Sequence, residues 1–376
     1  MSNLPGKSLF PTAQQIAYLD TAAEGIPPST LDDAFAAYLR AKDSGTPGRT
    51  QLYAMEKEAT ASAARLLNTS PDNIALLGSA SEGLNSLANS IDWRAGDEVL
   101  ISDFEFPSNV IGWLRLAARG VRLEVIPSGG APSLDQFLER IRPNTRVVSV
   151  SQVSYKTGAQ LPFLCELAEA AHRAGALFCV DATQALGRVP VSVEGVDFLV
   201  ASSYKWLLSS HGVGVTYLAP ALRERLRPSS AGWYSVTTIF TPDRFERFDY
   251  KAGANRLQPG MPNFPALYAL NNGIGFLLSI GVETIDRELA PLVRRLREGI
   301  AELGLALLTP ATPGLASGIV SFAHPQAEAL GQALARERVI VWSGDGRVRA
   351  SVHLYNDKAD IARFLEVLRL AQGSRS

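Results

Sequence analysis

The sequence predicts an α/β protein: a mostly parallel, seven-stranded sheet flanked by helices, followed by a smaller α+β C-terminal domain. Three observations carry this. Seven short, nearly continuous apolar runs occupy the first two-thirds of the chain, at 74–78, 98–102, 123–127, 146–153, 177–181, 198–202 and 213–218. Runs of that length without polar alternation suit strands buried on both faces. Helix-patterned segments lie between most of them, at 82–90, 109–119, 134–141 and 163–174. Strand–helix–strand alternation gives a parallel sheet with helices on both faces. The last two runs are joined by too few residues for a crossover helix, so they are expected to pair as antiparallel neighbours. After an irregular stretch at 232–265 the pattern changes. A long helix is expected over 266–303 with a break near Gly281, then a strand (318–322), a helix (327–338), a strand pair (339–342 and 347–353) and a last helix (358–371).

A chain of 376 residues exceeds one small domain. The expected division is an N-terminal arm (1–17), a large domain (18–265) and a small C-terminal domain (266–376). Hydrophobic residues make up 46% and charged residues 19%, enough apolar content for a sizeable core. The 36 Lys and Arg balance 37 Asp and Glu, so no net field favours nucleic acid or an anionic membrane. Cys165 and Cys179 are expected as buried small apolar residues rather than a disulfide or metal pair. His172, His211, His324 and His353 show no metal-ligand spacing. The first ten residues lack a signal pattern, and the longest apolar stretches are broken by Gly, Asn or charge. A cytoplasmic protein without a membrane span is the expectation.

Ligands of open α/β sheets bind beyond the carboxyl ends of the strands, and polar residues gather there. The first run leads into Gly78-Ser79-Ala80-Ser81-Glu82-Gly83. Small residues at a helix start suit a phosphate, although a plain Ser N-cap would give the same pattern. The fifth run ends in Asp181, with Gln184 three residues on. A buried acid needs a partner; a protonated pyridine nitrogen or a helix N-cap would each serve. The sixth run ends in Ser202-Ser203-Tyr204-Lys205-Trp206. A lysine among aromatics at a sheet edge can have its pKa lowered, as a Schiff-base amine requires. Lys156, which also follows a strand, is the main rival; most lysines are simply solvated.

In this order and spacing, the phosphate-type turn, the Asp-x-x-Gln and the Ser-x-Tyr-Lys resemble the class V aminotransferase family of fold-type I pyridoxal-5′-phosphate (PLP) enzymes. That family includes cysteine desulfurases, selenocysteine lyases, isopenicillin N epimerase-like proteins and kynureninases. The resemblance runs from Tyr18-Leu19-Asp20-Thr21-Ala22-Ala23 to the last helix. It implies PLP as cofactor and an amino acid as substrate. It implies that Lys205 is the Schiff-base lysine and that Asp181 keeps the ring nitrogen protonated. Gln184 would lie near the ring's phenolic oxygen. Ala80 and Ser81, helped by Ser202 and Tyr204, would hold the phosphate. Phe106 falls where relatives stack a ring on the cofactor, and Tyr155 falls where they carry an Asn or similar residue. Arg349 would bind the substrate carboxylate as a bidentate fork. Ala23 lies in the first matched segment, on the substrate side, and Arg49 is a candidate for a second acidic group. Met261 stands where relatives reach the partner subunit's phosphate with a Thr, which implies a homodimer with shared active sites.

Departures from the family pattern narrow the chemistry. Desulfurases carry a cysteine nucleophile shortly before the arginine strand. Here that segment reads Val341-Trp342-Ser343-Gly344-Asp345-Gly346-Arg347, so persulfide formation is not expected. Transamination is the leading expectation. β-Elimination from a cysteine-like substrate comes next, and epimerisation and decarboxylation stay open. From another class, a non-catalytic PLP-fold binding protein would normally have lost one of Asp181, Lys205 and Arg349. A nucleotide-binding dehydrogenase would need a G-x-G-x-x-G after the first strand, which is missing.

Overall fold

The computed structural model describes residues 4–312 and 314–373; the first three residues of the expected N-terminal arm lie outside them. Twelve strands are described: β1 (Ala17–Tyr18), β2 (Ile74–Leu77), β3 (Glu98–Ser102), β4 (Arg122–Ile126), β5 (Thr145–Ser151), β6 (Leu177–Asp181), β7 (Phe198–Ser202), β8 (Gly214–Leu218), β9 (Ile319–Ala323), β10 (Val339–Ile340), β11 (Trp342–Gly344) and β12 (Arg347–Ser351). Helices α1 (Thr30–Asp43) and α2 (Arg49–Leu66) precede the large sheet. Helices α3 (Ala80–Ser90), α4 (Ser108–Leu114), α5 (Leu134–Leu138) and α6 (Leu164–Arg173) cross between its strands. Helices α7 (Pro220–Arg225), α8 (Phe264–Ile280), α9 (Val282–Glu302), α10 (Ala327–Arg336) and α11 (Lys358–Gly373) follow.

The large sheet has the order β2-β8-β7-β6-β5-β3-β4. Its pairs are parallel except those made by β8, which runs antiparallel to both β2 and β7. All seven runs read from the sequence are strands of this sheet. Register brings the carboxyl ends of the central strands level: Ser151 pairs with Asp181, and Asp181 with Val200. That level edge is where the polar residues following each strand collect.

Two expectations need correction. The strand expected over 339–342 is two strands. β10 pairs in parallel with β1, whereas β11 forms a hairpin with β12. The hairpin turn is Asp345-Gly346, both at positive φ (47° and 68°), as a two-residue loop of this kind requires. The expected boundary at 265/266 falls inside α8, which packs on α1 and α2, with Tyr38 meeting Tyr268 edge-on at 5.8 Å. The large unit therefore runs through α8, and the break comes at Gly281 (φ 87°). Conversely, β1 joins the small unit through β10, so the start of the chain straps the two units together. Among the described residues no single helix is long and apolar enough to cross a membrane; α8 and α9 pass such a test only as a pair bent by 76°.

A buried polar joint fixes the small unit against the site. Arg188, fully buried, donates from Nε to Val352 O (3.1 Å) and from Nη1 to Asp286 Oδ1 (2.8 Å). His353 Nε2 lies 3.0 Å from Trp206 O. The carboxyl end of β12 is thus tied to the residue that follows Lys205.

Candidate active site

Nine of the residues predicted from the sequence to contact a ligand line one cavity at the level edge of the sheet, six of them being Ala80, Ser81, Phe106, Asp181, Ser202 and Lys205. Tyr155, Gln184 and Tyr204 complete its walls. Lys156, the rival lysine, is exposed. Lys205 is only 7% exposed, and its Nζ lies 5.2 Å from the centre of the Phe106 ring and 5.6 Å from that of Tyr204. Its loop is set by close backbone packing. Gly25 N–H donates to Tyr204 O (2.8 Å), and a Cβ on Gly25 would sit 1.9 Å from Lys205 O, so only glycine fits there.

The start of α3 is built for an anion. Ser79 caps it, its Oγ accepting from Glu82 N–H (3.1 Å). The first helical N–H groups, those of Ala80 and Ser81, have no carbonyl one turn earlier to bond. Ser81 Oγ meets Ser108 Oγ at 2.7 Å. Gly214 on β8 lets this turn come close, since a Cβ there would lie 2.7 Å from Ser79 C.

Asp181 is buried at the end of β6, with Oδ1 accepting from Thr183 N–H (2.9 Å). Burial raises its pKa, against the pull of Thr183 and the charge of Lys205. A cation supplied by a ligand would hold it ionised. Gln184 is braced at both ends: its Nε2 donates to Ala22 O (2.9 Å) and its Oε1 accepts from Trp206 Nε1 (2.6 Å). One amide N–H remains for a ligand. A phosphate seat, a buried carboxylate and a buried lysine facing one cavity fit PLP.

Arg349 is 3% exposed. Its Nη1 donates to Tyr155 O (2.8 Å), and its Nη2 lies 3.6 Å from Asp20 Oδ1. Asp20 sits in the first matched segment, but nothing local in the sequence marks it as Arg349's partner; the bridge between Asp20 and Ser351 creates that contact. Burial pushes the Asp20 carboxyl up to about 7 and draws Arg349 down to about 10. Ala23 lies on the turn after Asp20, its N–H donating to Asp20 O (3.0 Å), and is not part of the cavity wall. Arg49 and Met261 are not in this cavity either. They share Tyr53: Arg49 Nη2 donates to its hydroxyl (3.1 Å), which lies 3.9 Å from Met261 Sδ. Of the cysteines, Cys179 is buried in β6, but Cys165 is exposed, because α6 buries the face of Leu167, Ala168, Ala170 and Ala171 instead.

Glu105, which precedes Phe106 and carries no mark of a site residue in the sequence, bonds to Ser151 in the cavity wall. It is buried and accepts from Ser102 Oγ (3.1 Å), Asn109 Nδ2 (2.8 Å), Ser151 N–H (3.0 Å) and Ser151 Oγ (2.5 Å). Burial, with the nearby charge of Asp181, pushes it up to about 7 despite these donors.

Lys205 is drawn down to about 8, first by burial and then by the Arg349 charge. A neutral amine is the nucleophile towards an aldehyde. The rate at which apoprotein takes up PLP is therefore expected to rise with pH about a midpoint near 8, followed by growth of violet absorption in stopped flow. A midpoint at the ordinary lysine value, about 10.4, would mean that Lys205 is solvated in the apoprotein.

The comparisons with known proteins agree with this geometry. The family model described as "Aminotransferase class-V" matches residues 17–364. A probable cysteine desulfurase of Pyrococcus abyssi is 29% identical over 96% of this chain and 95% of its own length. An uncharacterised aminotransferase of Bacillus subtilis is 29% identical, covering 97% of this chain and 98% of its own. The apo structure of a cysteine desulfurase from Thermococcus onnurineus superposes with a TM-score of 0.90 at 26% identity, covering 99% of this chain and all of the other. With the whole fold matched and the cavity suited to the cofactor, the chain belongs to the class V aminotransferase family and is a PLP-dependent enzyme.

Proposed function

We propose that this enzyme transfers the amino group of an α-amino acid, with Lys205 as its proton carrier and Arg349 as the seat of the substrate's α-carboxylate. One observation carries the reading. Apart from Lys205 and the tied Asp181, the described walls of the cavity contain no histidine, thiol or carboxylate. PLP supplies an electron sink that makes the α-proton acidic. Lys205 Nζ then takes that proton and returns it at a neighbouring atom, the least a site can do with a single base. Asp181 supports the positive end of the sink, and Gln184 and Phe106 orient it. Eliminating a leaving group asks in addition for an acid beside the β-carbon; Phe106 cannot be one, which leaves that task to the Lys205 ammonium or to the Tyr155 and Tyr204 hydroxyls.

A second reading rests on the relatives. Several are named cysteine desulfurases, which favours elimination of a thiol from a cysteine-like substrate. Sulfur capture on the enzyme itself has no support, because neither Cys165 nor Cys179 lines the cavity. The functional unit is proposed to be a homodimer with shared sites. Phe240 and Phe245, 88% and 86% exposed, form apolar surface that a second copy would cover, and Arg49 and Met261 sit outside their own cavity.

The test is product analysis of PLP-loaded protein given single L-amino acids without a keto acid. Transamination is expected to yield at most one equivalent of keto acid per site and no ammonia. Ammonia or thiol accumulating over many turnovers would replace transamination with the lyase reading.

A further inference from the structure

β12 carries two arginines behind Tyr155, a residue of the cavity wall. Residues two apart on a strand face the same way, so Arg347 stands beside Arg349 on one face. Both are almost fully buried, at 2% and 3% exposure. Each commits one terminal nitrogen to the protein: Arg347 Nη1 donates to Asp345 Oδ2 (3.3 Å), and Arg349 Nη1 to Tyr155 O (2.8 Å). Nε and Nη2 of Arg347 and Nε of Arg349 are buried without any acceptor. At 3.6 Å from Asp20 Oδ1, Nη2 of Arg349 is beyond a good hydrogen bond. Nε–H and Nη2–H point along the same edge of a guanidinium, the edge that meets a carboxylate in fork geometry. Arg347 therefore keeps that edge uncommitted, while Arg349 shares it only with Asp20, in a long ion pair of 3.6 Å. Buried, unmade charged donors are costly, and a pair of them on one strand face calls for an anion.

The placement also fits the cavity. Arg347 lies 5.7 Å from the Tyr155 ring. Tyr155 meets Phe106 edge-on at 5.1 Å, and Phe106 lies under Lys205 Nζ. The series Lys205, Phe106, Tyr155, Arg347 thus leads outward from the reacting end. The half-buried Trp342 covers both guanidinium groups, at 4.5 Å and 5.3 Å. Arg49, the earlier candidate for a second acidic group, is exposed and bonded to Tyr53.

We infer that Arg347 is a second anion-binding residue, and that the substrate is an amino acid with an acidic group at the far end of its side chain. This rests on the proposed role of Arg349 as the α-carboxylate residue. The test is calorimetric binding to the PLP-loaded enzyme of succinate and glutarate against propionate and butyrate, none of which can react. The diacids are expected to bind at least tenfold more tightly than the monoacids. In Arg347→Met that preference is expected to vanish, with monoacid affinity unchanged. Should Arg347→Met not fold, Arg347→Lys keeps the charge without the fork and is expected to reduce the preference below threefold. Equal affinities in the unmodified enzyme, or a preference that survives these substitutions, would overturn the inference. Arg349→Met is expected to lose monoacid binding. If monoacids still bind to it, the role of Arg349 fails, whatever Arg347→Met shows.

Discussion

Replacing Lys205 with Ala is expected to reduce turnover by at least about 10³-fold, within the range a positioned proton carrier supplies, while leaving the fold intact. The second half of this expectation comes from the surroundings. Among the described residues Nζ has no hydrogen-bond or ion-pair partner; it lies against the faces of Phe106 and Tyr204, and burial opposes its charge. Removing a side chain that is costly to bury charged relieves desolvation while opening a modest cavity. The backbone that shapes the loop is untouched: Gly25 still packs on residue 205's carbonyl, and Leu208 N–H still bonds to it (3.2 Å). A melting temperature within a few degrees of the parent, together with lost turnover, is the expected pair of results. Added methylamine should restore part of the rate if the missing group is a base. Turnover within tenfold of the parent would remove Lys205 from the reaction.

The sheet was legible because its strands are buried on both faces. β3, β6 and β7 span the predicted residues, and continuous apolar runs such as Val99-Leu100-Ile101 leave no second reading. The positions of Asp181 and Lys205 were legible for a related reason: Asp181 ends one such run and Lys205 follows another by three residues, so chain continuity keeps both near the sheet edge. Residues brought in by tertiary contacts were harder. Asp20 becomes Arg349's neighbour only because it bridges to Ser351 at the end of β12. The hairpin of β11 and β12 was blurred because Gly344-Asp345-Gly346 reads as a loop, while the turn itself occupies just two of its residues. That error also hid Trp342, which the hairpin folds over both arginines. Glu105 was missed because no local pattern announces that β5 brings Ser151 to meet it.

The second large effect is expected at Asp181. Asp181→Asn keeps the shape and can still accept from Thr183 N–H, so only the charge is lost. Losing one preorganised electrostatic contact typically costs on the order of 10²–10³-fold in kcat, and that range is expected here. The substitution also tests the pairing of buried acids beside the cavity. Glu105 sits near 7 mainly through burial, with the Asp181 charge adding to the rise. A carboxyl whose folded pKa is raised favours the folded state at low pH and gives up that contribution as pH climbs from the unfolded value, about 4.3, through about 7. Removing the Asp181 charge lowers Glu105's folded pKa and shrinks this loss. In apoprotein, the fall in melting temperature between pH 5 and 8 is therefore expected to be smaller for Asp181→Asn than for the parent. The two readouts separate two causes. A slow enzyme with a flattened pH profile means that Asp181 acts through its charge, on the cofactor and on the stability of the fold, where its own raised carboxyl and its field on Glu105 both contribute. A slow enzyme with an unchanged profile would confine the effect to the cofactor and show that Glu105 is set by burial alone. An enzyme that keeps its rate would mean that the ring nitrogen needs no anionic partner here, and Asp181 would then be a strand-end cap for Thr183.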